Sequence, residues 1–290
     1  MHYHINHSLT YRYDRPVLLE PHTLRLRPRS DHWQTVHSFQ LTCDPVPHSM
    51  GHNVDLDGNN TSRLWFVEPA QTMYLNIDSQ VQTHCTNPFA YTLEPWALHF
   101  PIDYPSSLQA MLQPYLTDTY LTDNGGKGKS HPEVAELAER VSHATHYNPA
   151  LFVTELNQQI YHHCHYQPRD TGEPMLPGIT WKHKFGSCRD FAVLFMATCR
   201  AVGLAARFVS GYQEGDVNSD RYDLHAWSEV YLPGAGWRGY DPTHGLAVSD
   251  RHIALAASPN PRYTSPLSGG FRGGQSVGME YQVTIQPIPG

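Results

Sequence analysis

The feature that most narrows the fold is the order in which hydrophobic periods follow one another along this 290-residue chain. Tyr3, Ile5, Leu9, Tyr11 and Tyr13 are separated by His4, Asn6, Ser8, Thr10 and Arg12, the period-two alternation of a half-buried strand. Similar runs at 23–27, 36–43, 63–67 and 75–83 are separated by Pro and by Asp/Gly clusters. Asp57-Gly58 between two such runs predicts a hairpin, because glycine accepts the positive φ of a tight turn. Helical spacing begins only after residue 130. Ser130 and Glu133 have capping-box spacing ahead of a stripe of Val134, Leu137, Ala138 and Val141. Asn148-Pro149 opens a second helix with Phe152, Leu156 and Ile160 on one face. Ser187 and Asp190 open a third, which buries Phe191, Leu194, Phe195, Thr198 and Val202 and stops at Gly203. Strands return at 205–212, 224–232 and 236–240, and Met279, Tyr281, Val283 and Ile285 alternate again near the end. Strands, then helices, then an antiparallel sheet predict an α+β chain rather than a doubly wound one.

The Pro-rich stretch 95–105 marks a boundary, so the expected division is a β-sandwich-like N-terminal domain over 1–105 and a second domain over 106–290. The run 123–129 (DNGGKGK) reads as a loop. A formal charge of −7 argues against nucleic acid as a partner, which would demand clustered Lys and Arg. No apolar run is long enough to span a membrane, so no membrane partner is expected either. The first ten residues lack a basic segment followed by an apolar one, and five cysteines make an odd, sparse set. A reduced, cytoplasmic protein with one thiol available for chemistry is the expectation. Asp55 and Asp57 lack the later ligands of a calcium loop, and His162-His163-Cys164-His165 lacks the spaced second pair of a structural zinc site. No cofactor is expected.

Cys188 falls on the first position of the third helix, where unpaired N–H groups and the helix dipole favour a thiolate and can cradle an oxyanion. His225 opens the next strand but one, and Asp241 closes the strand after it. If those strands form a hairpin across Pro233-Gly234-Ala235-Gly236, Asp241 stands near His225 and can bond one ring nitrogen while the other faces Cys188. Cys43, Cys85, Cys164 and Cys199 read as buried packing residues, and Trp227 and Trp237 as core aromatics that also wall the cleft.

Four segments carry a family resemblance: Gly186-Ser187-Cys188-Arg189-Asp190-Phe191-Ala192, the run 203–212 (GLAARFVSGY), His225-Ala226-Trp227-Ser228-Glu229-Val230, and Gly236-Trp237-Arg238-Gly239-Tyr240-Asp241-Pro242-Thr243. In this order and spacing the chain resembles the bacterial transglutaminase-like cysteine enzymes, particularly those with an additional N-terminal β domain. Tyr11-Arg12-Tyr13, Leu24-Arg25-Leu26-Arg27-Pro28 and Asp55-Leu56-Asp57-Gly58-Asn59 resemble that accessory domain. The resemblance implies a core related to papain-like cysteine proteases, with helices packed on an antiparallel sheet. It puts the nucleophile on Cys188, the base on His225 and the acid on Asp241. It further implies a thioester intermediate, a peptide or protein amide substrate, and, more weakly, a peptide-ligase-type partner. The alternative is a catalytically silent binding or scaffold protein that kept the fold. Two departures stand out: His244 follows Asp-Pro-Thr where Asn is common, and 256–274 is looser than the family pattern.

Overall fold

The computed structural model describes residues 1–117, 131–169, 172–214 and 224–288. The expected loop 123–129 and the capping residue Ser130 lie outside the described residues. The N-terminal strands are β1 (His2–Leu19), β2 (His22–Leu24), β3 (Gln34–Asp44), β4 (Ser49–Val54), β5 (Asn60–Trp65) and β6 (Ala70–Thr83). The alternation of the first segment runs the length of β1, with Tyr3, Ile5, His7 and Leu9 on its buried face. Gly58 turns the β4–β5 hairpin at φ +78°, and Asp55 Oδ1 accepts from the Asp57 and Asn59 amides, so this acidic pair builds a turn.

Among the described residues five α-helices follow: α1 (Ser106–Leu116), α2 (Pro132–Ala144), α3 (Pro149–His163), α4 (Pro177–His183) and α5 (Cys188–Ala201). The expected stripes of α2 and α3 are buried, and Asn148 caps α3 by accepting from the Leu151 amide at 3.1 Å. α1 and α4 are not legible as helices from the sequence: α1 carries an internal Pro114, and α4 starts on Pro177-Gly178. Two short strands, β7 (His165–Tyr166) and β8 (Phe185–Gly186), flank α4 and pair in parallel.

The second sheet is antiparallel, formed by β9 (Ala206–Gln213), β10 (Leu224–Leu232), β11 (Gly236–Asp241), β12 (Leu246–Ala247) and β13 (His252–Ser258), in the order β12-β11-β10-β9-β13. α5 lies against it, buried almost throughout, with α2, α3 and α4 packed around that helix. The Ser228 hydroxyl of β10 donates to the Ala192 carbonyl of α5 at 2.8 Å, locking helix to strand. Gly211 on β9 faces His225 on β10 and leaves no room for a side chain, since a Cβ there would come within 2.3 Å of both the Ile253 carbonyl oxygen and the Trp227 ring. That close approach is what lets Trp227 lie under the start of β10.

The end of the chain departs from the expected division into 1–105 and 106–290. β14 (Leu267–Ser268) pairs with β2, β15 (Phe271–Arg272) with the far end of β1, and β16 (Ser276–Pro287) with most of β1. The physical reason is the length of β1: β6 satisfies one edge, and the other would expose a long row of unpaired backbone groups. β16 covers that row and seats Val283 and Ile285 in the core formed by Tyr3, Ile5, Leu64 and Ile77. Tyr212, Ile253 and Leu255 of the second sheet enter the same core, so the N-terminal β unit and the helical unit share buried side chains.

Candidate active site

The start of α5 is built by one buried carboxylate. Asp190 Oδ2 accepts from the Ser187 amide at 2.7 Å and the Ser187 hydroxyl at 2.8 Å, while Oδ1 accepts from Arg169 and from the Met175 amide, both at 2.7 Å. This pins the turn into the helix and sets Cys188 on its first position. Cys188 is 8% exposed and lines a cavity of about 640 Å³, so the sulfur sits at a cleft floor rather than entombed.

The β10–β11 hairpin brings His225 and Asp241 together as its spacing predicts. Ser228 pairs with Tyr240 and Leu232 with Gly236, which carries the end of β11 alongside the start of β10. His225 Nε2 lies 2.8 Å from Asp241 Oδ2, and His225 lines the same cavity as Cys188. With Nε2 given to the carboxylate, Nδ1 is the nitrogen left for sulfur. Burial alone would lower the His225 pKa; the Asp241 charge and hydrogen bond, with a contribution from Cys188, outweigh it and raise the value to about 10.

Asp241 is fully buried and its donors are unusual in number. Oδ1 accepts from the Thr243 amide at 3.0 Å. Oδ2 is met by three imidazoles: His225, His244 through Nδ1 at 3.0 Å, and His252 through Nε2 at 3.2 Å. Burial raises the carboxyl pKa, but the His225 charge and the three imidazole bonds hold it well below the usual carboxylate range. His252 is buried, and its other nitrogen, Nδ1, faces the Ser249 amide at 3.5 Å. Burial pushes the His252 pKa down. A ring that accepts at Nδ1 and stays neutral must carry its proton on Nε2, so His252 donates to Asp241. His244 is half-exposed, on a turn that α3 braces through Gln158 Nε2 to the Gly245 carbonyl at 2.6 Å and Asn157 Nδ2 to the Leu246 carbonyl at 3.1 Å.

His225, Asp241 and His244 bring ligand-type atoms within 4.8 Å of one another. Both imidazole nitrogens already aim at one oxygen at hydrogen-bond distance, as donors surround an acceptor rather than as ligands surround an ion.

All three predicted site residues therefore converge. His244 enters the site as the departure from the family pattern suggested, and segment 261–268 borders the same cavity. His252 escapes sequence reading because it heads a run, Ile253 to Ala257, that signals only a buried strand. Trp227 and Trp237 do not line the cavity: Trp227 lies edge-on to His252 at 5.3 Å, and Trp237 stacks under Arg207 at 4.2 Å. The other four cysteines are buried and unpaired with one another, and no disulfide links any of the five.

Comparison with known proteins agrees with this architecture. Residues 3–82 match the model of the bacterial transglutaminase-like N-terminal region, and 135–242 that of the transglutaminase-like superfamily, a span holding Cys188, His225 and Asp241. Residues 135–242 thus carry a transglutaminase-like core domain. An uncharacterised protein of Mycobacterium tuberculosis is 28% identical over 304 residues, covering 99% of this chain and 93% of that protein. A protein-glutamine gamma-glutamyltransferase of Pseudomonas aeruginosa is 31% identical over 127 residues, but these are 40% of this chain and 19% of that protein. A crystal structure of a candidate cysteine protease from Cytophaga hutchinsonii superposes with a TM-score of 0.71 at 20% identity, covering 100% of this chain and 92% of that one, a likeness of fold. A mixed α+β chain with a transglutaminase-like core and a preceding β region is thus established, and with it a kind of fold used by cysteine-dependent enzymes.

Proposed function

We propose that this transglutaminase-like chain is a cysteine-dependent enzyme of amide bonds. The observation that carries the reading is that Cys188, at a helix start, shares its cleft with an imidazole that lies 2.8 Å from a buried carboxylate. Cys188 sulfur attacks the amide carbonyl carbon, and the oxyanion is met by the Cys188 backbone N–H at the positive end of α5. As the C–N bond breaks, His225 gives its proton to the leaving nitrogen and a thioester remains. His225 then takes a proton from water or from an amine, which attacks the thioester carbonyl and releases Cys188. Water yields an acid, the work of a peptidase or amidase; an amine yields a new amide, the work of a transamidase. Asp241 holds the ring in the tautomer that presents Nδ1 to sulfur and balances the imidazolium charge. Each step is supplied by side chains of this chain, and the substrate class is a peptide or protein amide.

The silent-scaffold alternative requires a degraded site, and the intact convergence of three residues opposes it. Cys188→Ala decides between them: turnover of peptide amides, read as ammonia or amine release and as incorporation of a fluorescent primary amine, should vanish while the thermal unfolding curve is kept. Retained turnover in that variant refutes the assignment.

A further inference from the structure

The face of the first sheet that turns inward is not covered evenly. β16 and β1 pair so that Ile285 stands opposite Ile5, Val283 opposite His7, Tyr281 opposite Leu9 and Met279 opposite Tyr11. Period-two alternation puts all of these on one face. Along β16 that face begins as core, with Ile285 1% and Val283 6% exposed, and then emerges, with Tyr281 37% and Met279 40% exposed. Where it emerges, Leu9, Tyr11, Met279 and Tyr281 line the same cavity as Cys188 and His225. Phe208 and Leu267 face them from the helical unit and the returning segment. A core-type strip therefore leaves the core and enters the cavity that holds the nucleophile, whose volume of about 640 Å³ is within the range of small-molecule and peptide-side-chain sites.

We propose that this strip is the acyl-donor subsite: the substrate carries an aromatic or large aliphatic group within one residue of the reacting carbonyl, on its acyl side, and seats it against Leu9, Tyr11, Met279 and Tyr281. The inference rests on the proposed function and deepens it, since it gives the N-terminal β unit and the last strand a part in selecting substrate. Burial of one large apolar side chain is worth at least about tenfold in binding, which sets the expected selectivity.

The test uses the full chain and three affinity labels with one reactive group: acetyl-phenylalanyl, acetyl-glutaminyl and acetyl-glycyl chloromethyl ketone. In each, sulfur attacks the chloromethyl carbon, chloride leaves and a thioether forms. Second-order inactivation rates are divided by the iodoacetamide rate of the same protein, and the labelled cysteine is identified by mass. The phenylalanyl label should react at least about tenfold faster than the other two. In the double variant Met279→Ser, Tyr281→Ser, both at exposed positions, that preference should collapse toward unity. Equal rates for the three labels with selective labelling of Cys188, or a preference that survives in the double variant, overturn the subsite alone. Absence of selective Cys188 labelling by iodoacetamide overturns the enzyme reading and the subsite with it.

Discussion

Replacing His252 with phenylalanine isolates one of the three imidazole donors on Asp241. The substitution keeps a flat ring edge-on to Trp227 and removes the Nε2–H that stands 3.2 Å from Asp241 Oδ2. A hydrogen bond to a buried charge is worth about 1.5–3 kcal/mol. This is the longest of the three imidazole contacts, and the carboxylate keeps His225, His244 and the Thr243 amide. The lower end, about 1.5 kcal/mol, is therefore the expected loss of stability at pH 7. The same loss has a pH signature. Asp241 titrates below its ordinary value in the folded state, so its contribution is present above the usual aspartate range and disappears as pH falls through the folded value. Removing a donor raises that folded value, and the acid-unfolding midpoint should move up by as much as about one pH unit. Urea unfolding at pH 7 and an acid titration followed by tryptophan fluorescence measure both effects, and His252→Gln, which keeps an N–H donor, should recover part of each. A variant within about 0.5 kcal/mol of the parent, with an unmoved acid midpoint, would show that His252 only fills space and that the tautomer argument is wrong.

Two further outcomes follow from the same electrostatics. Iodoacetamide near neutral pH should modify Cys188 selectively, because burial pushes Cys43 up to about 12, Cys164 up to about 11, and Cys85 and Cys199 upward as well; peptide mapping that finds the five thiols labelled alike counts against an activated site. His225, raised to about 10 in the folded state, contributes stability that is whole below about 6.5 and fades as pH climbs through 10. Unfolding free energy should therefore fall between pH 7 and 10, and Asp241→Asn should flatten that decline.

The parts of this molecule that were legible in the sequence share one property: a local pattern that matches the tertiary outcome. Strand alternation in β1, the stripes of α2 and α3, and Ser187-Asp190 at the start of α5 each state locally what the fold then uses. The hairpin arithmetic that brings Asp241 to His225 works because β10 and β11 are joined by a tight turn, which leaves little freedom in register. Legibility failed where a residue takes its role from a distant partner. His252 reads as one polar residue at the head of an apolar strand, and nothing within several residues says that its ring meets Asp241. His7 interrupts the alternation of β1 as an apparent polar residue, yet it is buried and bonded to Tyr212 at 2.9 Å, with its pKa lowered to about 4 by burial. α1 contradicts the local rule, since Pro114 sits inside it while Leu112 packs with Tyr104 and Ala205.

The return of the last strand has a consequence for how the chain can be divided. A fragment ending at residue 275 keeps every residue of the proposed triad, and a fragment of residues 1–105 keeps every strand that the sequence assigns to the N-terminal domain. Both lack β16. Without it β1 offers its neighbours a long open edge, and Tyr3, Ile5 and Leu9 lose the side chains of Val283 and Ile285. Burial of two such side chains amounts to roughly 3–6 kcal/mol, a large share of the 5–15 kcal/mol that typically holds a folded chain. Deleting 276–290 is therefore expected to give aggregation or a broad, non-cooperative melt, while Val283→Ala with Ile285→Ala in the full chain should melt cooperatively at a lower temperature. A truncated chain that melts within a few degrees of the parent and still labels at Cys188 would contradict this. If the loss occurs as expected, β16 joins the stability of the fold to the wall of the cleft, because the strand that closes the edge of β1 also carries Met279 and Tyr281 into the cavity beside the nucleophile.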